Sequence, residues 1–164
     1  MSAVPAAVSL GRIARALATV RESFASGTGL AMFDASSDFQ RARRAYLAAR
    51  FARRGPSRPL ALEGIPALSW RGAHLRVIPV SAVIGTVDVT HDFDARFRPA
   101  ASRIAPRWQH VALAHRRGVA LPPISVIERP EGYYVLDGRH RVSVARTLGL
   151  RDIEAWVSPT NVLQ

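Results

Sequence analysis

The sequence predicts an α+β fold in which helices pack against a small mixed sheet. Apolar residues at helical spacing dominate positions 1–54, whereas short β-prone runs bounded by glycine and proline recur from Leu75 onward. These strands and helices do not alternate as regular βαβ units, which favours α+β over a parallel α/β sheet. With 164 residues, 48% of them hydrophobic, the chain can bury a core.

Residues 1–70 are predicted to form an N-terminal helical extension, and residues 71–164 a separate domain. The first helix has an apolar residue every three or four positions: Leu10, Ile13, Leu17, Val20 and Phe24. We expect a break at residues 26–29. A second helix should run from Ser37, which has capping-box spacing to Gln40, to about Arg54. Prolines and glycines predict a linker over residues 55–72.

The second helix is strongly basic, with six arginines against one aspartate in residues 38–54: Arg41, Arg43, Arg44, Arg50, Arg53 and Arg54. Such a helix can bind the phosphates of DNA or an acidic lipid surface. It can equally expose its arginines to solvent while its apolar side packs on the core, and both alternatives stay open. The net charge of +11 favours an anionic partner for the chain as a whole.

The second half should contain several short elements. A strand is expected at Leu75–Val80, a turn at Val83–Gly85 and an irregular polar segment at Asp88–Pro99. A helix should begin at Pro106 and end before Gly118. The remaining expected elements are a strand at 124–128, a strand at 133–136, a helix at 139–148 and a strand at 153–157.

The turn that enters the helix at 139–148 carries the clearest indication of a ligand. Gly138 permits a positive φ and a close approach of backbone to ligand. Arg139, His140 and Arg141 fall in the first helical turn, where free N–H groups and the helix dipole already favour anions. Asp137 would hold the turn or help to position a metal or hydroxyl group. These residues predict a phosphate site, and an ordinary Asp-Gly turn with exposed basic residues is the alternative.

Four residues of the irregular segment form a second candidate cluster: Asp88, His91, Asp92 and Asp94. Carboxylate oxygens from Asp88 and Asp92 would suit Mg²⁺, which accompanies bound triphosphates. Asp92 and Asp94 would act as a general base in phosphoryl transfer if they face the turn. Capping and turn formation are the alternative roles of such residues.

Several other classes of site are not expected. The chain has no cysteine, which excludes disulfides, thiolate metal sites and cysteine nucleophiles. It has no run of about 18 apolar residues, so no membrane span is expected. No secretory signal is evident, which predicts a cytoplasmic protein. His110 and His115 are five positions apart, which is not the i, i+4 spacing of a helical zinc pair.

The second half resembles the ParB/sulfiredoxin superfamily over roughly residues 75–157. The matching stretches are Leu121–Val126, Tyr133–Val142 with the pattern Asp-Gly-x-His-Arg, Ala145-Arg146, Leu148-Gly149 and Ile153–Val157. Residues 1–70 show no such resemblance. The implied fold is a ParB/sulfiredoxin-like small mixed sheet with packed helices, preceded by the helical extension.

The resemblance implies that Gly138, Arg139, His140 and Arg141 hold the phosphates of a nucleotide (CTP, ATP or ADP) with Mg²⁺. In sulfiredoxins a catalytic cysteine stands where this chain has Arg139, so sulfinic-acid reduction is excluded. Partitioning ParB proteins continue into DNA-binding and dimerisation domains. Here seven residues follow Val157, so centromere binding of that kind is not expected.

Three functions stay open at this point. The first is a nucleotide-binding switch or DNA-associated module of a bacterial, ParB-like type. The second is an enzyme (an NTPase, a nuclease or a small-molecule kinase) that uses the Asp-Gly-Arg-His-Arg turn and the aspartate loop. The third is DNA binding through the basic helix, with the ParB-like half as scaffold. Nucleotide and DNA are the expected partners, and a homodimer is compatible with each function.

Overall fold

The computed structural model describes residues 28–52, 58–62 and 72–159. In these ranges, helices α1 (Thr28–Phe51), α2 (Ala105–Arg116) and α3 (Arg139–Thr147) accompany a six-stranded sheet. The strands are β1 (Leu60–Ala61), β2 (His74–Pro79), β3 (Val83–Thr86), β4 (Ile124–Arg129), β5 (Gly132–Asp137) and β6 (Asp152–Pro159). Short 3₁₀ turns at Val80–Ala82 and Ser102–Ile104 lead into β3 and α2. The predicted α+β class is confirmed.

The sheet is mixed, with the strand order β1-β3-β5-β4-β6-β2. Strand β3 pairs parallel with both β1 and β5, and β4 pairs parallel with β6, whereas the β4–β5 and β2–β6 pairs are antiparallel. One face packs against α3 and a loop side chain, Phe97, in a core that contains Val126, Val135, Val142 and Val157. This packing fixes α3 and the turn before it against the central strands.

The three helices meet at one tryptophan. Phe39 of α1 contacts Trp108 of α2 edge-on, with ring centroids 5.5 Å apart, and Ala35 and Ala42 are buried in the same cluster. Trp108 Nε1 donates a hydrogen bond to Ser143 Oγ of α3 at 2.8 Å. Helix α1 therefore shares a core with α2 and α3, and the division of the chain at residue 70 stays a prediction.

Helix α1 begins at Thr28, so the predicted start at Ser37 is wrong. Asp38, the residue after the predicted start, lies inside the helix and is only 1% exposed. Its carboxylate pairs with Arg41 at 2.5 Å and with Arg116 of α2 at 2.6 Å. Asp38 thus links α1 to α2 through a buried ion pair. The Ser37-Asp38 pair therefore lies within the helix and does not cap its start.

The break expected at residues 26–29 is contradicted at its second half, because Thr28 and Gly29 already belong to α1. The first predicted helix, over residues 10–24, lies outside the described residues, and so do Arg53 and Arg54.

Two strands occupy segments that were expected to be irregular. Strand β1 lies in the predicted linker, and β3 replaces the turn predicted at Val83–Gly85. A Cβ atom at Gly85 would lie 2.4 Å from the carbonyl oxygen of Leu60, so glycine permits β1 and β3 to approach. Both strands are very short and are held by partners distant in sequence, which local patterns do not reveal.

The other predicted elements are confirmed to within about two residues. Pro106 lies in the first turn of α2, and Gly118 follows its end with φ 67°. Strands β2, β4, β5 and β6 and helix α3 lie where the apolar patterns indicated. None of the helices in the described ranges is long and apolar enough to cross a bilayer.

Candidate functional site

The turn between β5 and α3 has the geometry that its sequence indicated. Gly138 occupies the N-cap position with φ 105°, and α3 begins at the next residue. A Cβ atom at this position would lie 2.4 Å from Cγ2 of Ile124, so the turn packs tightly on β4 and accepts only glycine. No side chain caps the helix. Because the first N–H groups of a helix lack partners within it, those of residues 139–141 are available to a ligand.

A cavity of about 210 Å³ opens at this turn. It is lined by Thr90, Asp92, Phe93, Arg107, Val111, Leu136, Asp137, Gly138, Arg139, His140 and Arg141. The structure therefore brings Asp92 from the irregular segment to the predicted turn. The lining carries three arginines and two carboxylates.

His140 forms part of the cavity wall. Its ring lies edge-on to Phe93, with the centroids 5.2 Å apart. Burial lowers the pKa of His140 below its usual value, and the positive charge of Arg107 acts in the same direction, against the opposing effect of Asp92. The imidazole is therefore neutral at neutral pH. Its Nε2 atom is buried and has no hydrogen-bond partner in the part of the chain that the structure describes.

The two arginines of the turn have different surroundings. Arg139 donates from NH2 to Asp88 Oδ2 at 3.1 Å, while its buried Nε has no hydrogen-bond partner among the described residues. Arg141 is only 14% exposed and pairs with Asp137 at 2.5 Å. The guanidinium of Arg141 also donates to the carbonyl oxygens of Pro122 and Pro123. Arg139 is thus free to bind a ligand through part of its guanidinium, whereas Arg141 fastens the turn to the segment before β4.

The aspartates of the irregular segment do not form one group. Asp92 lines the cavity and pairs with Arg103 at 2.5 Å. Asp94 is 3% exposed, and its carboxylate accepts bonds from the backbone N–H groups of Arg96 and Arg98 and from the Arg98 side chain. Asp94 therefore stabilises its own loop and lies outside the cavity lining, and its role as a general base stays a prediction.

The predicted magnesium ligands are likewise only partly assembled. Asp88 is exposed and bonded to Arg139, outside the cavity lining, and Asp92 is bound to Arg103. Within the described residues, no group of three or more histidine, cysteine, aspartate or glutamate side chains is arranged to hold a metal ion. Because Mg²⁺ is often bound through one or two carboxylates and the substrate phosphates, the predicted pair stays a prediction.

Arg107 was missed by the sequence reasoning, together with its neighbours Thr90 and Phe93. It stands in the first turn of α2, which also lacks a side-chain cap, and it lines the cavity without an ion-pair partner in the described ranges. A basic residue in the first turn of a helix, where acidic residues are favoured, was the available signal.

Some arginines of the basic helix α1 make contacts within the protein. Arg43 donates to the carbonyl oxygen of Ala100 at 2.6 Å, and Arg50 contacts Tyr46 Oη at 3.4 Å. Arg44 is exposed and has no side-chain partner among the residues that the structure describes. Of the six arginines predicted to contact nucleic acid, Arg44 is therefore the most available within the described part of the helix.

Comparison with known proteins gives a likeness to solved structures. No family model and no curated protein matches the chain. Among solved structures, sulfiredoxin from Arabidopsis thaliana is similar, with 21% sequence identity and a TM-score of 0.40. The match covers 52% of this chain and 85% of that sulfiredoxin chain. At this identity the likeness concerns the course of the backbone and says nothing of ligand or reaction.

Proposed function

We propose that the protein binds the phosphate groups of a nucleotide at the N-terminus of α3. The observation that supports this most directly is the uncapped helix start, which opens into a cavity carrying Arg107, Arg139 and a neutral His140. Helix dipole and free N–H groups favour an anion there, and arginine forms paired hydrogen bonds with phosphate oxygens. His140 Nε2 and Arg139 Nε would gain the partners that the described residues do not supply.

The size of the cavity limits how much of the nucleotide it encloses. Its volume of about 210 Å³ is below the ~300–1,000 Å³ of pockets that enclose whole drug-sized ligands. The phosphates would therefore occupy the cavity, and the sugar and base would lie largely outside it. Asp92, with Asp88 nearby through Arg139, would bind Mg²⁺ together with the phosphate oxygens. Which base is recognised is an outcome of the binding experiment.

Isothermal titration calorimetry with CTP, ATP, ADP and GTP, each with and without Mg²⁺, tests the proposal. The variants Arg139→Ala and Arg107→Ala should each weaken binding by about tenfold, the effect of losing roughly one charge-assisted hydrogen bond. Arg117→Ala is the matched control, since this exposed arginine lies at the opposite end of α2. Flat titrations for every nucleotide, or equal losses in Arg117→Ala, would refute the site.

A second candidate function is a phosphoryl-transfer or hydrolysis reaction at the same cavity. It is favoured by the presence of a carboxylate, Asp92, and an uncharged imidazole, His140, in one lining, because either group can act as a general base that accepts a proton from an attacking water or hydroxyl group. Phosphate release from each nucleotide, and nicking of supercoiled plasmid, measure it. Activity that survives in both Asp92→Asn and His140→Gln would remove these residues from the reaction. If the protein binds nucleotide but shows neither activity, a nucleotide-binding switch is favoured over an enzyme.

Association with DNA is proposed for the exposed side of α1. Retardation of a duplex in a gel at several salt concentrations would measure it, since contacts to phosphate weaken steeply with salt. Arg44→Glu should weaken the affinity for the duplex, because this side chain is exposed and unpaired among the described residues. An unchanged affinity in Arg44→Glu, or an affinity independent of salt, would exclude α1 as the contact surface.

A further inference from the structure

A second and larger cavity lies at the opposite end of α3. It measures about 880 Å³ and is open to solvent. Its walls come from α1, from the loop before Pro99, from the 3₁₀ turn after β2 and from the residues that follow α3. It shares no lining residue, among those described, with the cavity at Gly138. It is therefore a separate site candidate.

The charge of this second cavity is strongly positive. Five arginines line it: Arg41, Arg96, Arg98, Arg146 and Arg151. Asp152 is the one carboxylate in the described lining, while Asp38 and Asp94 lie behind the wall and pair with Arg41 and Arg98. Even with those two carboxylates counted, arginines outnumber acids by five to three. An anion is the ligand that this balance attracts.

Two of the five arginines build the wall rather than offer a contact. Arg146 donates to the carbonyl oxygens of Val83 at 2.5 Å and Val80 at 3.3 Å, and its guanidinium lies 5.0 Å from the ring centroid of Phe97. Arg98 is held by Asp94 and donates to a carbonyl oxygen of α1 at 3.0 Å. Their planar groups thus give a fixed cationic surface beside apolar side chains.

The loop that carries Phe97 is held in an unfavourable conformation. Phe97 has φ 57°, the only positive φ of a non-glycine residue in the described ranges. Its N–H donates to the carbonyl oxygen of Asp94 at 2.7 Å, and the carboxylate of Asp94 accepts the N–H groups of Arg96 and Arg98. Such strain persists where surrounding contacts fix the backbone, and it is frequent at ligand sites. Here it turns the ring of Phe97 into the core, beneath the guanidinium of Arg146 that lines the cavity.

Two of the remaining three arginines are available, since Arg41 pairs with Asp38. Arg96 and Arg151 are exposed, and neither side chain has a hydrogen-bond or ion-pair partner in the portion of the chain that the structure describes. The apolar floor of the cavity includes Ala45, Pro79 and Leu150, which are exposed or half-buried. Free guanidinium groups above an apolar floor are complementary to a ligand with an acidic group on an apolar body. The cavity volume lies within the ~300–1,000 Å³ range of small-molecule sites.

We propose that this second cavity binds a small organic anion that carries a phosphate, sulfonate or carboxylate group on an apolar ring. Arg96 and Arg151 bind the acidic group, and Ala45, Pro79 and Leu150 contact the ring. This site lies apart from the nucleotide-phosphate site proposed at Gly138, so each can fail without the other.

Calorimetric titration with naphthalene-2-sulfonate tests the proposal. Inorganic sulfate supplies the charge without the ring, and 2-naphthol supplies the ring without the charge, so each should bind at least about tenfold more weakly. The double variant Arg96→Glu/Arg151→Glu should lose about tenfold or more in affinity for the sulfonate, whereas Arg44→Glu, a reversal of the same charge elsewhere on the surface, should not. Arg139→Ala should also bind normally.

The ring contact has its own readout, which does not depend on variants. In NMR spectra of the unaltered protein, naphthalene-2-sulfonate should shift the methyl signals of Ala45 and Leu150. Shifts confined to the surroundings of Gly138 would overturn the proposal. So would equal affinity for sulfate and the sulfonate, an equal loss in Arg44→Glu, or no binding of the sulfonate.

Discussion

Gly138→Ala should destabilise the fold through two separable effects. The added Cβ would lie 2.4 Å from Cγ2 and 2.8 Å from Cβ of Ile124, and overpacking of this kind costs about 1–3 kcal/mol. The φ of 105° adds the strain of a left-handed backbone, about 1–2 kcal/mol for a residue with a side chain. The total loss in unfolding free energy is therefore about 2–5 kcal/mol.

Gly149→Ala is the matched control for this substitution. Gly149 follows the C-cap of α3 with φ 71°, and a Cβ there would meet nothing within 4 Å. It should show the backbone effect alone, about 1–2 kcal/mol. In a chain of this size each kcal/mol lowers Tm by about 2–4 °C, so the two variants should differ by roughly 2–12 °C in calorimetry. Equal melting of both would refute the close packing of the turn on β4.

Further predictions concern the helical core and the histidine. Phe39→Ala should lower the unfolding free energy measured in urea by about 3–5 kcal/mol, since the buried ring packs on Trp108. A decrease under about 1 kcal/mol would contradict the docking of α1. Ser143→Ala should cost about 1–3 kcal/mol by the same assay, because Trp108 Nε1 loses its acceptor, and an unchanged midpoint would exclude that bond. Burial lowers the folded pKa of His140 below the unfolded 6.5, so the unfolded state binds more protons below that value. Stability should therefore rise with pH up to about 6.5, and His140→Gln should flatten this rise in urea midpoints; parallel profiles would count against it.

Local patterns predicted most of the second half of the fold. Each of these signals depends on residues a few positions apart: proline at the start of α2, glycine after its end, and alternating apolar residues in β4 to β6. The elements lie where these signals predicted them. Strands β1 and β3 were missed because their stability comes from pairing with distant strands. The start of α1 was misplaced because Asp38 has its partner in Arg116, 78 positions away.

In the candidate site, too, features set by neighbouring residues were predicted and features set by tertiary packing were not. The strand, glycine and basic first turn at Gly138 are contiguous, so the sequence alone located them. The presence of Asp92 at the cavity was stated only as a condition, because the path of the irregular segment depends on packing. Arg107 and Phe93 reach the cavity through the docking of α2 and of that segment, and the one local signal was the basic charge of Arg107 in a first helical turn. The hydrogen bonds from Arg141 to the carbonyl oxygens of Pro122 and Pro123 are also tertiary contacts, which the local sequence does not reveal.

The burial of Asp38 decides how the proposed DNA contacts of α1 can be studied. A chain shortened to begin after residue 52 would uncover Trp108 and deprive Arg116 of both its carboxylate partners, Asp34 and Asp38. Loss of DNA binding on such a deletion would report collapse of the helical layer as readily as a missing contact. The basic surface is separable from the scaffold only one side chain at a time, beginning with Arg44.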